Sequence, residues 1–114
     1  MSTARILEEI ATERERQTRV FGWTPEHDDK HTKGEMAKAA ACYALSASIN
    51  KHARSVCEQD WSPWWDCIFL KRYWPWHPKW WRPEGRRVEL IKAAALIVAE
   101  LERVDRRINR DTGF

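Results

Sequence analysis

Apolar positions at the start of the chain recur at helical spacing between glutamates and arginines. In residues 3–20, six side chains fall near one face: Ile6, Leu7, Ile10, Arg14, Gln17 and Val20. This pattern predicts a first helix whose apolar face becomes polar after its second turn. Gly22 and Pro25 then favour its termination, and we expect a loop that runs to about Lys30.

Alanine dominates the second predicted helix. Thr32 is followed three residues later by Glu35, which fits a capping box, so we expect the helix to begin near Lys33 and to run to about Ser48. Its alanines, at positions 37, 39, 40, 41, 44 and 47, would let a neighbouring helix approach closely. Residues 49–60 indicate a short turn or helix only weakly.

The clearest apolar stripe lies near the end of the chain. Pro83 marks a helix start, and we expect a helix from about Glu84 to Ile108, followed by a fraying tail. Its stripe consists of residues three or four positions apart: Val88, Ile91, Ala94, Ala95, Val98, Leu101, Val104 and Ile108. The predicted fold is therefore mainly α, with three principal helices.

A tryptophan-rich region, from Trp61 to Pro83, separates the second and third principal helices. It contains seven of the chain's eight tryptophans. Three of its four prolines lie in "YWPWHPKWWRP", residues 73–83, and exclude a helix of ordinary length there, although residues 64–73 could form a short helix or strand. We expect this region to be an ordered loop.

Length and composition limit the class of protein. A chain of 114 residues predicts one domain, residues 1–114, and none of its apolar runs approaches the roughly 18–20 residues of a membrane span. The first ten residues lack the apolar core of a secretion signal, so we expect a cytoplasmic protein.

The cysteines and charges add two further expectations. Cys42, Cys57 and Cys67 are odd in number and lack CxxC spacing, so we expect all three to be reduced, with Cys42 packed as a small apolar residue. The net charge of +3 is too small for a general nucleic-acid binder, but residues 71–87 hold six cations against one glutamate. A local positive surface is therefore predicted.

Imidazoles and carboxylates cluster in the segment "GWTPEHDDKHTKGE", residues 22–35. The five are His27, Asp28, Asp29, His31 and Glu35. Three interpretations stay open: capping and solvated groups, recognition of a ligand's hydroxyl or amino groups, or a divalent metal site.

Tryptophans beside cations form the second candidate site. Trp76, Trp80 and Trp81 offer flat faces that stack on purine bases, and neighbouring cations suit phosphates. Those cations are Lys79, Arg82, Arg86, Arg87 and Lys92. The alternative is that these tryptophans fill the core or an oligomer interface. The same alternative applies to four others: Trp61, Trp64, Trp65 and Trp74.

Two resemblances bear on these segments. Arg16, Arg19, Gly22-Trp23-Thr24, Asp28-Asp29 and His31 resemble the GWT…DD…H segment of ryanodine-receptor-type repeats, helical domains implicated in nucleotide recognition. The chain departs from that pattern where Pro25-Glu26 replaces Tyr-Gly, and where the second helix replaces a proline-rich loop.

Most of the chain resembles a group of small phage and prophage proteins. The resemblance rests on "GWTPEHDDKHTKGEMAKAAACYA", "WPWHPKWW" and "RRVELIKAAALIVAELERVDR". It implies a phage origin, and phage proteins of this size include sponges that sequester the nucleotide signals of bacterial immune systems such as Thoeris and CBASS.

The leading hypothesis is therefore a homo-oligomeric protein that captures a nucleotide-derived immune signal, an ADP-ribose derivative or cyclic dinucleotide, without cleaving it. No cofactor is expected. The predicted ligand-binding residues are Trp23, His27, Asp28, Asp29, His31, Trp76, Lys79, Trp80, Trp81, Arg82 and Arg86. Two alternatives stay open: a small metal-dependent nucleotide hydrolase, and an inhibitor whose exposed tryptophans bind a host protein.

Overall fold

The structure, a computed structural model, describes residues 2–48, 72–77, 80–81 and 84–112. Within these ranges there are four helices and no strand: α1 (Thr3–Phe21), α2 (Pro25–Asp28), α3 (Glu35–Ser48) and α4 (Arg86–Thr112). The mainly α fold is confirmed. In the described part of the chain, α1, α3 and α4 correspond to the three predicted principal helices, and α2 is an additional single turn. Among the described helices, none combines the length and apolarity needed to cross a membrane.

Several predictions fall on residues outside the described ranges. They concern Trp61, Trp64, Trp65, Lys79, Arg82 and Pro83, together with Cys57 and Cys67.

Helix α1 begins and ends where the sequence predicts. The side chain of Ser2 accepts a hydrogen bond from the amide of Arg5, and Gly22 ends the helix with a φ of 72°, which favours glycine. The predicted inner face is wrong at its apolar positions, because Leu7 and Val20 are 59% exposed while Gln17 is buried. The buried part of helix α1 therefore lies in its polar second half, while Glu9 in its first half pairs with Arg87 of the last helix.

Helix α2 lies inside the segment predicted as a loop. The side chain of Thr24 accepts a hydrogen bond from the amide of His27, at 3.3 Å, and Pro25 occupies the first turn. An N-cap threonine followed by proline satisfies the requirements of a helix start. The loop prediction is corrected at residues 25–28.

Helix α3 begins two residues later than predicted, and the capping box does not form. The Glu35 carboxylate accepts from the amide of Lys33, at 2.5 Å, instead of from that of Thr32. The buried face of α3 consists mainly of small residues: Met36, Ala39, Ala40, Cys42, Tyr43, Ser46 and Ala47. These residues allow α3 to pack closely on α4, and the expected burial of Cys42 is confirmed.

Helix α4 also begins two residues later than predicted, after Gly85, and its buried face is not the predicted stripe. The buried positions are Glu89, Lys92, Ala93, Ala95, Leu96 and Ala99. Of the predicted stripe only Ala95 is buried, whereas Val88, Leu101 and Ile108 are exposed. Ala93 and Ala99 of α4 share a core cluster with Ala39 and Ala40 of α3. Glu89 accepts hydrogen bonds from Ser46 and from the Gly85 amide. Close helix packing and polar partners therefore decide which face is buried.

Two tryptophans of the tryptophan-rich region belong to the core. Trp81 is 1% exposed and stacks on Tyr43, with ring centroids 4.7 Å apart. Trp74 is 7% exposed and meets Trp81 edge-on at 5.0 Å. Residues 74–77 are irregular in backbone, so packed rings hold this part of the chain in place.

Candidate functional site

A cavity of about 370 Å³ opens where α1, α2, the start of α3 and the middle of α4 meet Trp76, His77 and Trp80. Its volume lies in the range of small-molecule sites, roughly 300–1,000 Å³. The described residues that line it are mostly aromatic or imidazole side chains over an apolar floor: Arg14, Phe21, Trp23, His27, Asp28, His31, Met36, Trp76, His77, Trp80, Leu96 and Ala99. We call it the first cavity.

Three tryptophans from two distant parts of the chain line the first cavity, and we call Trp23, Trp76 and Trp80 the tryptophan wall. The Trp23 and Trp76 rings lie 5.7 Å apart at 42°, and Phe21 contacts Trp23 at 5.2 Å. Trp80 is 48% exposed, so one member of the wall faces solvent. These faces can stack on a planar ring.

A buried ion pair forms the polar end of the first cavity. Arg14 Nη2 lies 2.5 Å from Asp28 Oδ2, and the two side chains are 11% and 2% exposed. Burial raises the pKa of the Asp28 carboxyl, and the charge and hydrogen bond of Arg14 oppose this rise. Because the two charges compensate each other, this end of the cavity suits an uncharged polar group of a ligand.

The same guanidinium holds the neighbouring elements together. Arg14 donates to the backbone carbonyl of Trp23, at 3.2 Å, and to Glu102 on α4, at 2.9 Å. Helix α2 and the tryptophan before it are therefore positioned by a residue of α1.

Two histidines border the cavity beside the tryptophan wall. The rings of His27 and His31 meet at 4.9 Å and 71°, and the ring of His31 lies 5.5 Å from that of Trp76. His31 Nδ1 lies 3.1 Å from the Glu35 carboxylate, while His27 Nδ1 lies 3.7 Å from Asp28. The Glu35 contact fixes the orientation of the His31 ring at the cavity edge.

These neighbours shift the pKa of the Glu35 carboxyl group. Burial alone would raise the pKa of Glu35, but hydrogen bonds from His31 and from the Lys33 amide outweigh burial, and the pKa is lowered. The ionised form of Glu35 is thus favoured in the folded protein.

The structure brings six of the predicted site residues together in the first cavity: Trp23, His27, Asp28, His31, Trp76 and Trp80. Three others lie elsewhere. Trp81 packs in the core and does not line the cavity, Asp29 pairs with Arg106 of α4 at 2.8 Å, and Arg86 is exposed at the start of α4. Lys79 and Arg82 lie outside the described residues.

Six of the residues that line the first cavity are absent from the predicted site: Arg14, Phe21, Met36, His77, Leu96 and Ala99. Phe21 and His77 stand in no motif, so only the structure identifies them. Arg14 carries a signal in the sequence, because it occupies the predicted inner face of α1, and a buried cation requires a buried partner.

The described residues do not form a metal site. They contain no group of three or more histidine, cysteine, aspartate or glutamate side chains placed to hold an ion. The adjacent carboxylates of Asp28 and Asp29 each pair with an arginine instead, Asp28 with Arg14 and Asp29 with Arg106.

The chain matches no protein-family model, no curated protein and no solved structure.

Proposed function

We propose that the protein binds a nucleotide-derived signalling molecule, of the ADP-ribose or cyclic-dinucleotide class, and sequesters it without cleaving it. The observation that carries this proposal is the first cavity, where indole faces and imidazole edges surround a charge-compensated polar end. A nucleobase has the matching chemistry, since it has flat faces, uncharged polar edges and no formal charge.

In the proposed complex the base stacks on the tryptophan wall and presents its edge to the histidines. Trp23 and Trp76 supply the inner faces, while Trp80 covers the ring from the solvent side. His27 and His31 supply ring nitrogens for hydrogen bonds, and Asp28 supplies carboxylate oxygens. A volume of about 370 Å³ accommodates a base with its ribose, so the phosphates extend towards the solvent.

Binding without cleavage is favoured by the way the acidic groups are engaged. Asp28 and Asp29 hold arginines, and Glu35 contacts His31 and the Lys33 amide. In the described part of the chain no carboxylate cluster remains to hold a catalytic metal.

The protein is proposed to act as a homo-oligomer, with an exposed apolar stripe of α4 as the contact. Leu90, Ile97, Leu101 and Ile108 are each about half exposed and follow the spacing of a helix-pairing seam. Light scattering of the purified protein should give a multiple of the 13.6 kDa chain mass. The substitution Leu101→Glu should return it to the single chain, and a monomeric wild type would refute this part of the proposal.

The proposed function is tested by calorimetric titration with a panel of ADP-ribose isomers and cyclic dinucleotides. We expect at least one to bind, and chromatography after denaturation should return it intact. Trp80→Ala should weaken binding, whereas the control Tyr73→Ala should not, because Tyr73 is similarly exposed, at 45%, but does not line the cavity. Absence of heat and of a thermal shift with every compound would refute the proposal, and cleaved product would refute sequestration.

A further inference from the structure

A second cavity, of about 190 Å³, adjoins the tryptophan wall. It shares five lining residues with the first cavity: Phe21, Trp23, Trp76, Trp80 and Leu96. Its other described walls come from the polar half of α1, from Tyr43 and Trp74 of the core, and from Glu84 and Lys92. A ligand on the wall of the first cavity is therefore adjacent to a second space.

The charged groups around the second cavity compensate one another. Arg16 contacts both carboxylate oxygens of Glu13, at 2.7 and 2.8 Å. Lys92 Nζ lies 2.7 Å from Glu84. Two cations thus face two carboxylates, and the surroundings favour an uncharged ligand group over a phosphate or an ammonium ion.

One buried acceptor in these walls has no donor among the described residues. Gln17 is 2% exposed, and its Nε2 donates to Glu13 at 3.2 Å. Its Oε1 is buried and accepts no hydrogen bond from the described part of the chain. Buried polar atoms in folded proteins nearly always have a partner, so an orphaned acceptor in a cavity wall is suited to a ligand's donor.

We propose that the second cavity is a subsite for an uncharged hydrogen-bond donor of the ligand, which donates to Gln17 Oε1 while the ligand's ring stacks on the tryptophan wall. This inference rests on the proposed function and specifies the ligand further. The donor is an amine on the base or a hydroxyl of the ribose, since both are neutral and both fit a small space beside a stacked ring.

The test compares Gln17→Met with the wild type, because methionine has a similar length and no acceptor oxygen. The probes are adenosine monophosphate, purine riboside monophosphate, which lacks the amine, and dideoxyadenosine monophosphate, which lacks the ribose hydroxyls. Binding is measured by calorimetry. The melting temperature of the variant is measured in parallel to check that it folds, because the substitution removes both the partnerless Oε1 and the Nε2 donor to Glu13.

We expect Gln17→Met to weaken the binding of adenosine monophosphate by about tenfold, which corresponds to the free energy of one hydrogen bond. The analogue that lacks the true donor should bind the wild type about tenfold more weakly than adenosine monophosphate does, whereas the variant should bind both compounds equally. This comparison distinguishes the amine from the hydroxyl as the donor. As a control, Trp80→Ala should weaken the binding of all three probes by the same factor.

Equal affinity of the variant and the wild type for all three probes would overturn the subsite and leave the proposed function intact. Absence of binding of every probe to the wild type would also overturn the subsite. The ADP-ribose and cyclic-dinucleotide titrations then decide the proposed function separately.

Discussion

Replacement of Arg14 by methionine should destabilise the protein strongly. Arg14 is the cation that lies 2.5 Å from Asp28, a carboxylate only 2% exposed. Methionine preserves most of the length of the side chain and removes the charge and the donors. Removal of one partner of a buried pair leaves an uncompensated charge, which costs about 3–5 kcal/mol of the free energy of unfolding.

The cost should depend on pH in a direction set by Asp28. Burial already raises the pKa of Asp28 above 3.8, and loss of Arg14 removes the main opposing influence, so the pKa rises further. A raised folded-state pKa favours folding at low pH, and this advantage disappears as the pH rises through that pKa. The destabilisation by Arg14→Met should therefore be largest at neutral pH and should shrink as the pH falls towards 3.8.

Chemical denaturation of the wild type and the variant at several pH values measures this dependence. The matched control is Arg106→Met, because Arg106 pairs with the adjacent carboxylate, Asp29, in a more exposed position, with side chains 30% and 31% exposed. The control substitution should lower the free energy of unfolding by only about 0.2–1 kcal/mol. Equal costs for the two variants, or a cost for Arg14→Met that does not change with pH, would refute the reasoning.

Three further substitutions test local features. Gly22→Ala should cost about 1–2 kcal/mol in chemical denaturation, because φ is 72° and an added Cβ meets nothing within 4 Å, so the cost is that of the backbone alone. Ser46→Ala should cost about 1.5–3 kcal/mol by the same measurement, because it removes a donor to the buried carboxyl group of Glu89; no change would contradict this. Glu35→Gln should flatten the dependence of stability on pH below pH 4.5, because the lowered pKa of Glu35 gives stability that is lost as the pH falls through that pKa. Thermal melts of the variant and the wild type across that range measure this dependence. The melting temperatures of the two proteins should change equally with pH if the His31 contact has no effect.

Local sequence signals locate the helices well, but they do not identify the buried faces. In α4 apolar residues occur on all sides, so periodicity alone cannot choose between Leu96, which is buried, and Leu101, which is exposed. The choice depends on Ser46 of α3, which meets Glu89 of α4 from 43 positions away. The sequence of α4 alone does not indicate such a partner on another helix.

The candidate site was predictable where its residues are close in sequence. His27, Asp28 and His31 lie within one short segment, and the clustering of tryptophans indicates an aromatic wall. Neighbouring Trp80 and Trp81 have the same composition around them, yet one lines the cavity and the other fills the core. That division follows from the three-dimensional position of Tyr43, which stacks on Trp81.

Helix α2 has a consequence for how the first cavity forms during folding. A helix of four residues, Pro25–Asp28, is not stable alone, since the first turn costs more conformational entropy than its hydrogen bonds return. Its order depends on Arg14 of α1, which holds Asp28, and on Arg106 of α4, which holds the C-cap residue Asp29. The cavity therefore assembles only when α1 and α4 have docked. The amides of Asp28 and Asp29 should then exchange with solvent hydrogen through the same cooperative opening as the helices that hold them.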